Sequence, residues 1–281
     1  MQYIKSLISI LNHPNNSDKK IKTLLRLLFW KVNQIFFHVP AIIELTQDRK
    51  CICYTDSSNG GLVVYSKLFD YSEMTYLLKK LKPEDTFIDV GANIGVYTLL
   101  ASSVITKGMI HAFEPYGQSQ KRLLENLRLN DIANVQVVEK IVSDKTGYEY
   151  LGIEKESEIN HIIYSHDDKK IKISSITLDD YIFRNKINKI SILKIDVEGA
   201  EMKVLKGGEE SIRKGKIKKI LLELNRNNQF FGTSNRAIID WLKLRGYRIS
   251  LFTEHGKQQI IKSNNIDNNQ ILNIIAVYRE T

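Results

Sequence analysis

The chain's 281 residues predict an α/β fold built around a parallel sheet. From Tyr76 onward, short apolar runs alternate with amphipathic stretches, the pattern of strands joined by helical crossovers. Within Asp85-Thr-Phe-Ile-Asp-Val-Gly-Ala-Asn-Ile-Gly-Val-Tyr-Thr98, an apolar run ends in an acid. Gly91, Asn93 and Gly95 then crowd a turn before a helical pattern begins. Glycine lacks a Cβ, so backbone there can turn through positive φ and press against a ligand. The amides opening the next helix face whatever the turn holds. This is the first β-turn-α unit of a nucleotide-binding sheet. The length suffices for a full core, and 43% hydrophobic with 26% charged residues is ordinary globular composition.

Residues 1–75 read as an accessory region and 76–281 as the main domain. The segment Ile21–Phe37 is helical in pattern and apolar around much of its circumference, with Lys22, Arg26, Lys31, Asn33 and Gln34 as polar positions. It is too short and interrupted to span a bilayer. Packing on the main domain is its first reading, with a dimer contact or a peripheral membrane contact as alternatives. Ala41–Glu44 and Lys50–Tyr54 read as short strands, and Gly60-Gly61 ahead of Leu62–Tyr65 as a hairpin signal. Further strands are expected at Thr86–Val90, Met109–Glu114, Val135–Val142, Ile190–Ile195, Lys219–Leu224, Tyr247–Phe252 and Leu272–Tyr278. Helices are expected at Gly95–Val104, Gln118–Asn130, Ala200–Lys214 and Asn235–Leu244. The polar interval Lys145–Ser175 reads as a hairpin or flap, and Thr177-Leu-Asp-Asp180 as a capping box with Asp in place of Glu.

The net charge of +9 comes from 41 scattered Lys and Arg, which reads as a solvated basic surface. Cys51 and Cys53 have neither redox nor zinc spacing and point to a reducing, cytoplasmic setting. The apolar run Leu7–Leu11 is ended by Asn12, His13 and Pro14, too early for a signal peptide.

A dinucleotide fingerprint would read Gly-x-Gly-x-x-Gly, and Asn93 replaces its second glycine. Asp89 ends the first strand, where a carboxylate can orient a cationic amino group. Glu114 ends the second, placed to accept both hydroxyls of a ribose. Acids without a phosphate-binding lysine suit a ligand carrying ribose, ammonium and sulfonium, which describes S-adenosyl-L-methionine. Asp144, after the third strand, can accept from an adenine amine. The candidate cofactor residues are Asp89, Gly91, Ala92, Asn93, Gly95, Glu114, Ser143 and Asp144.

Asp89-Val-Gly-Ala-Asn-Ile-Gly95, Ala112-Phe-Glu-Pro115, Leu124-Glu-Asn126, Ser143-Asp144, Thr177-Leu-Asp-Asp180 and Leu193-Lys-Ile-Asp-Val-Glu-Gly-Ala-Glu201 together resemble the FkbM family of S-adenosylmethionine-dependent methyltransferases. The resemblance runs from about Leu81 to Leu224. It implies a Rossmann-like class I methyltransferase sheet of seven strands, the last antiparallel, with helices on both faces. It also implies O-methylation of a hydroxyl on a sugar, glycan or polyketide-type product. Asn225 in Leu222-Glu-Leu-Asn225 stands where relatives often carry His, which bears on acceptor choice.

Asp196 emerges at the carboxyl end of an apolar strand, the edge where open α/β sheets bind ligands. On extended backbone, Asp196 and Glu198 point the same way. Gly199 permits a turn, and Glu201 in the following first turn gains from the helix dipole, which favours its ionised form. A hydroxyl acceptor loses its proton as its oxygen attacks, so a carboxylate in reach serves as general base. Asp196 is the first candidate and Glu198 the second, with Glu201 completing the set and His161 an outside choice. Asp196, Glu198, Glu201 and Glu223 also suit Mg²⁺, a less favoured alternative. The expected acceptor is a small molecule or glycan, with no nucleic-acid partner. Competing readings are a nicotinamide-dependent oxidoreductase and a nucleic-acid methyltransferase.

Overall fold

A computed structural model describes residues 2–152, 170–252, 258–260 and 271–279. Helices α1 (Gln2–Asn12) and α2 (Lys20–Val32), the latter prolonged by a π turn (Asn33–Phe37), lead to a hairpin of β1 (Ala41–Glu44) and β2 (Lys50–Cys53). Then come α3 (Ser58–Ser66) and α4 (Tyr71–Lys80). The main sheet opens with β3 (Thr86–Val90), α5 (Val96–Ser102), β4 (Met109–Phe113), α6 (Gly117–Leu129) and β5 (Val135–Val138). Strands β6 (Ile141–Val142), β7 (Gly147–Gly152) and β8 (Lys170–Ile176) make a separate three-stranded sheet. After these come α7 (Leu178–Arg184), β9 (Ile192–Ile195), α8 (Glu201–Gly207), α9 (Glu209–Arg213) and β10 (Lys219–Leu224). A 3₁₀ turn (Arg226–Phe231), α10 (Asn235–Leu244), β11 (Tyr247–Phe252), β12 (Gln258–Ile260) and β13 (Leu272–Tyr278) complete the order.

The main sheet runs β12-β11-β13-β10-β9-β3-β4-β5. Its seven long strands have the expected arrangement, β13 lying antiparallel between β10 and β11, and β12 adds an eighth at the edge. Strand periodicity divides the core in two. Phe87, Ile110, Ile192, Leu221 and Ile275 face α4, α5 and α6, in a cluster that also takes in Trp30, Cys51 and Val63. Ile88, Leu193, Ile220 and Leu222 face α7 to α10.

Three expectations need correction. Gly60-Gly61 opens no hairpin: Ser57 Oγ accepts the Gly60 amide at 2.9 Å and caps α3. A Cβ on Gly60 would stand 3.0 Å from the Tyr54 carbonyl, so Gly60 serves close packing against the chain just after β2. Val135–Val142 is two strands, because β5 pairs with β4 while β6 leaves the main sheet for β8. The helix expected over Ala200–Lys214 breaks at Gly207-Gly208, where a Cβ on Gly207 would meet the Ser143 carbonyl at 2.1 Å.

The interval Lys145–Ser175 does hold a hairpin, β7 with β8, and Thr177 Oγ accepts the Asp180 amide to cap α7. The N-terminal elements are tied to the glycine turn through α6. Asn126 accepts the Ile52 amide at 2.7 Å and donates to the Ile94 carbonyl at 2.9 Å. Arg122 reaches both carboxylate oxygens of Asp56 at 2.7 Å. No helix among the described residues is long and apolar enough to cross a membrane.

Candidate active site

At the carboxyl edge of β3, β4, β9 and β10 lies a cavity of about 340 Å³. One part of its wall is the glycine turn. Gly91 and Ala92 both donate to the Phe113 carbonyl, at 3.0 and 2.9 Å, which folds the turn over β4. Gly91 has φ 84°, and a Cβ there would stand 1.9 Å from the Asp196 carbonyl oxygen, so only glycine lets the turn pass β9. Asn93, at φ 51°, uses its own Oδ1 to accept the Ile94 amide at 2.7 Å. Its amide donates to Glu114 Oε2 at 2.8 Å, while the Tyr116 amide donates to Oε1 at 2.8 Å. Two backbone bonds therefore fix the Glu114 carboxylate in the cavity wall.

The other part of the wall is acidic. Asp196, Glu198 and Glu223 each offer an oxygen within 4.8 Å of the others. Asp196 and Glu198 come together, but not by strand alternation: Glu198 adopts φ 55°, and this left-handed turn swings it back toward the cavity. Asn225 Nδ2 donates to Glu198 Oε2 at 3.1 Å, so Asn225 touches this acid directly. Burial, then the charges of Asp196, Glu198 and Asp70, push the Glu223 carboxyl up to about 8. Asp70, Glu114, Asp196, Glu198 and Glu223 line the cavity against one lysine, Lys140, a donor set suited to a cationic ligand.

Gly91, Asn93 and Glu114 thus line the cavity, while other candidates stand behind it. Ala92 is packed in the core, and Gly95, at φ 90°, lies against Leu123. Asp89 is fully buried, accepting from Thr98 Oγ1 at 2.8 Å, and its Oδ1 meets no donor. Burial raises its pKa, opposed by the neighbouring Lys194 ammonium. Ser143 and Asp144 are not brought to the wall; Lys140, Ile141 and Val142 stand there instead. Ser143 is buried with its hydroxyl at 3.1 Å from Glu149 Oε1, and Asp144 is exposed. Glu201 is also outside the cavity. It folds back so that Oε1 accepts the Gly199 amide at 3.0 Å. Burial outweighs the helix-start contribution and pushes its carboxyl up to about 7, opposite in direction to the expected effect of the helix dipole. His161 lies outside the described residues.

The sequence reading did not single out Lys194. It neighbours Asp89 in register across β3 and β9, and its ammonium is 2.9 Å from Asp196 Oδ2 and 4.4 Å from the Tyr97 ring centre. Burial alone would lower its pKa, but Asp196, Asp89 and Asp70 outweigh burial and hold it above the usual lysine value. Tyr97 in turn donates to Asp70 Oδ2 at 2.9 Å. One signal was available: a lysine inside the apolar run Ile190–Ile195, since a buried lysine requires paired carboxylates. Asp70, on the link between α3 and α4, carried no such signal.

Residues 89–249, more than half of the chain, match the Methyltransferase FkbM domain. Among curated relatives, Methyltransferase 1 of Beauveria bassiana is 26% identical over 147 residues, 44% of this chain and 59% of that protein. The hexuronic acid methyltransferase AglP of Haloferax volcanii is 28% identical over 131 residues, 47% of this chain and 53% of its own length. The 2-O-methyltransferase NoeI of Sinorhizobium fredii is 26% identical over 195 residues, 63% of this chain and 78% of that protein. The chain spans just over half the length of the first two. With a family match over this glycine turn and this acidic wall, the chain belongs to the FkbM methyltransferase family.

Proposed function

We propose that the protein is an S-adenosylmethionine-dependent O-methyltransferase acting on a hydroxyl of a sugar, glycan or small natural product. One observation carries the reading: a single cavity is lined both by the Gly91–Asn93 turn with Glu114 and by Asp196, Glu198 and Glu223. The residues present fit the cofactor. The cradle at Gly91 admits no Cβ, the wall is predominantly acidic, and Glu114 is held at a strand end suited to a ribose. When bound, S-adenosylmethionine supplies a methyl group already activated on a sulfonium.

The protein's own part is to position the acceptor and manage one proton. A carboxylate oxygen of Asp196 accepts the acceptor's hydroxyl proton as its oxygen is methylated, with Glu198 as the second carboxylate in reach. Lys194 anchors Asp196 through Oδ2. Asn225 orients Glu198 in the same way. Lys194 compensates Asp196 among the three acids, and turnover is expected to persist in chelator. The hexuronic acid in the name of one relative favours a saccharide acceptor, and the 2-O in the name of another favours an oxygen as the methylated atom.

The test is calorimetric titration with S-adenosylhomocysteine, followed by transfer of labelled methyl to a panel of uronic-acid and neutral saccharides. Binding of S-adenosylhomocysteine with methyl transfer to a saccharide hydroxyl is expected. Binding of NADH instead would replace the reading with an oxidoreductase.

A further inference from the structure

The N-terminal helices α1 and α2 present a surface that lies outside the cavity wall. Successive side chains on a helix are about 100° apart. On α2 this puts Thr23 and Trp30 on one side, both buried against the rest of the protein. On the opposite side Ile21, Leu25, Leu28 and Phe29 are exposed, and Ile35 and Phe36 continue the stripe along the π turn. Phe29 is 68% and Phe36 71% exposed, the reverse of a soluble helix that turns its apolar stripe inward. By the same spacing Lys20 and Lys31 border one edge of the stripe and Lys22 the other, all exposed. Residues 1–43 hold five lysines and one arginine against a single acid, Asp18.

We propose that this face lies in the plane of an anionic lipid surface. An apolar stripe edged by lysines is the arrangement by which a helix buries its apolar face at the acyl boundary while its ammonium groups reach lipid phosphates. At 13 residues, α2 is about 20 Å long, which suits lying on a bilayer and not crossing it. A second copy of the chain fits less well, since an isologous contact through this stripe would bring the same lysines together without acids to meet them. The docked surface is one helix from the cavity. Arg26 of α2 donates to the Tyr65 carbonyl of α3 at 2.9 Å, and α3 contributes Ser58, Asn59 and Leu62 to the cavity wall.

Co-sedimentation of the purified full chain with phosphatidylglycerol–phosphatidylcholine vesicles tests the proposal. Binding is expected to these vesicles, weakened by salt, and not to phosphatidylcholine alone. The triple variant Lys20→Gln, Lys22→Gln, Lys31→Gln should lower the partition coefficient by more than about tenfold. Leu25→Asp with Phe29→Asp should abolish binding while thermal unfolding and S-adenosylhomocysteine affinity stay as in the wild type. Wild-type protein left in the supernatant with anionic vesicles would overturn the proposal. So would light scattering that shows a dimer which the Leu25→Asp, Phe29→Asp variant dissociates, because the face would then belong to a second copy.

Discussion

At the scale of single residues, the site depends on one buried cation. Lys194 stands between Asp89 in the neighbouring strand and Asp196 at its own strand end, and removing it leaves the buried Asp89 and the half-buried Asp196 uncompensated. Lys194→Met is expected to cost about 3–5 kcal/mol, read from the urea midpoint. Glu114 and Asp196 should separate binding from turnover. Glu114→Ala should weaken S-adenosylhomocysteine binding at least about tenfold in calorimetry, since it also strands the amides of Asn93 and Tyr116. Asp196→Asn should keep that affinity and lower kcat by about 10²–10⁴, the span of general-base catalysis. Loss of binding in Asp196→Asn would reassign the residue to the cofactor. Strand-end position made Glu114 and Asp196 legible in the sequence. The orientation of Ser143 and Asp144 was not legible, because a turn's composition does not tell which way its side chains face, and here Ser143 turns inward to Glu149.

At the scale of elements, β3, β10, β11, β13 and α10 fall where their apolar periodicity places them. Periodicity failed where glycines serve contact between elements. Gly60-Gly61 has the local chemistry of a hairpin turn, yet the close approach of Gly60 to Tyr54 goes with a helix that Ser57 caps. At Gly207-Gly208 the passing Ser143 backbone is far away in sequence, so no local pattern announces the break. The turn after β3 is the sharper test. Gly91→Ala places a methyl at 1.9 Å from the Asp196 carbonyl and forces an unfavourable φ. Its expected outcome is loss of S-adenosylhomocysteine binding together with a lowered unfolding temperature. Thr177→Ala, at a residue outside the cavity wall, should cost about 0.5–2 kcal/mol through the lost cap and leave binding intact.

At the scale of the whole molecule, buried acids give stability a pH dependence. Glu73 and Glu201 are pushed up to about 7 and Glu223 to about 8, in each case chiefly by burial. Their folded pKa values lie above the unfolded value, so the folded state holds more protons. Their stabilising contribution is complete below about pH 4.5 and is lost as pH rises through 7 to 8. The unfolding temperature of the ligand-free protein should therefore fall between about pH 5.5 and 8.5. Glu201→Gln, which keeps an acceptor for the Gly199 amide without the charge, should make that slope shallower. The order of the sheet has a consequence for biosynthesis. β11 has no bond to β10 and joins only through β13, whose Asn273 stands in register with Glu223. Chains fold as they emerge, from the N-terminus onward. A ribosome that has delivered every acid of the cavity wall has still not delivered the strand that seats the last of them. Until Leu272–Tyr278 emerges, β10 offers an open apolar edge to chaperones and to other nascent chains.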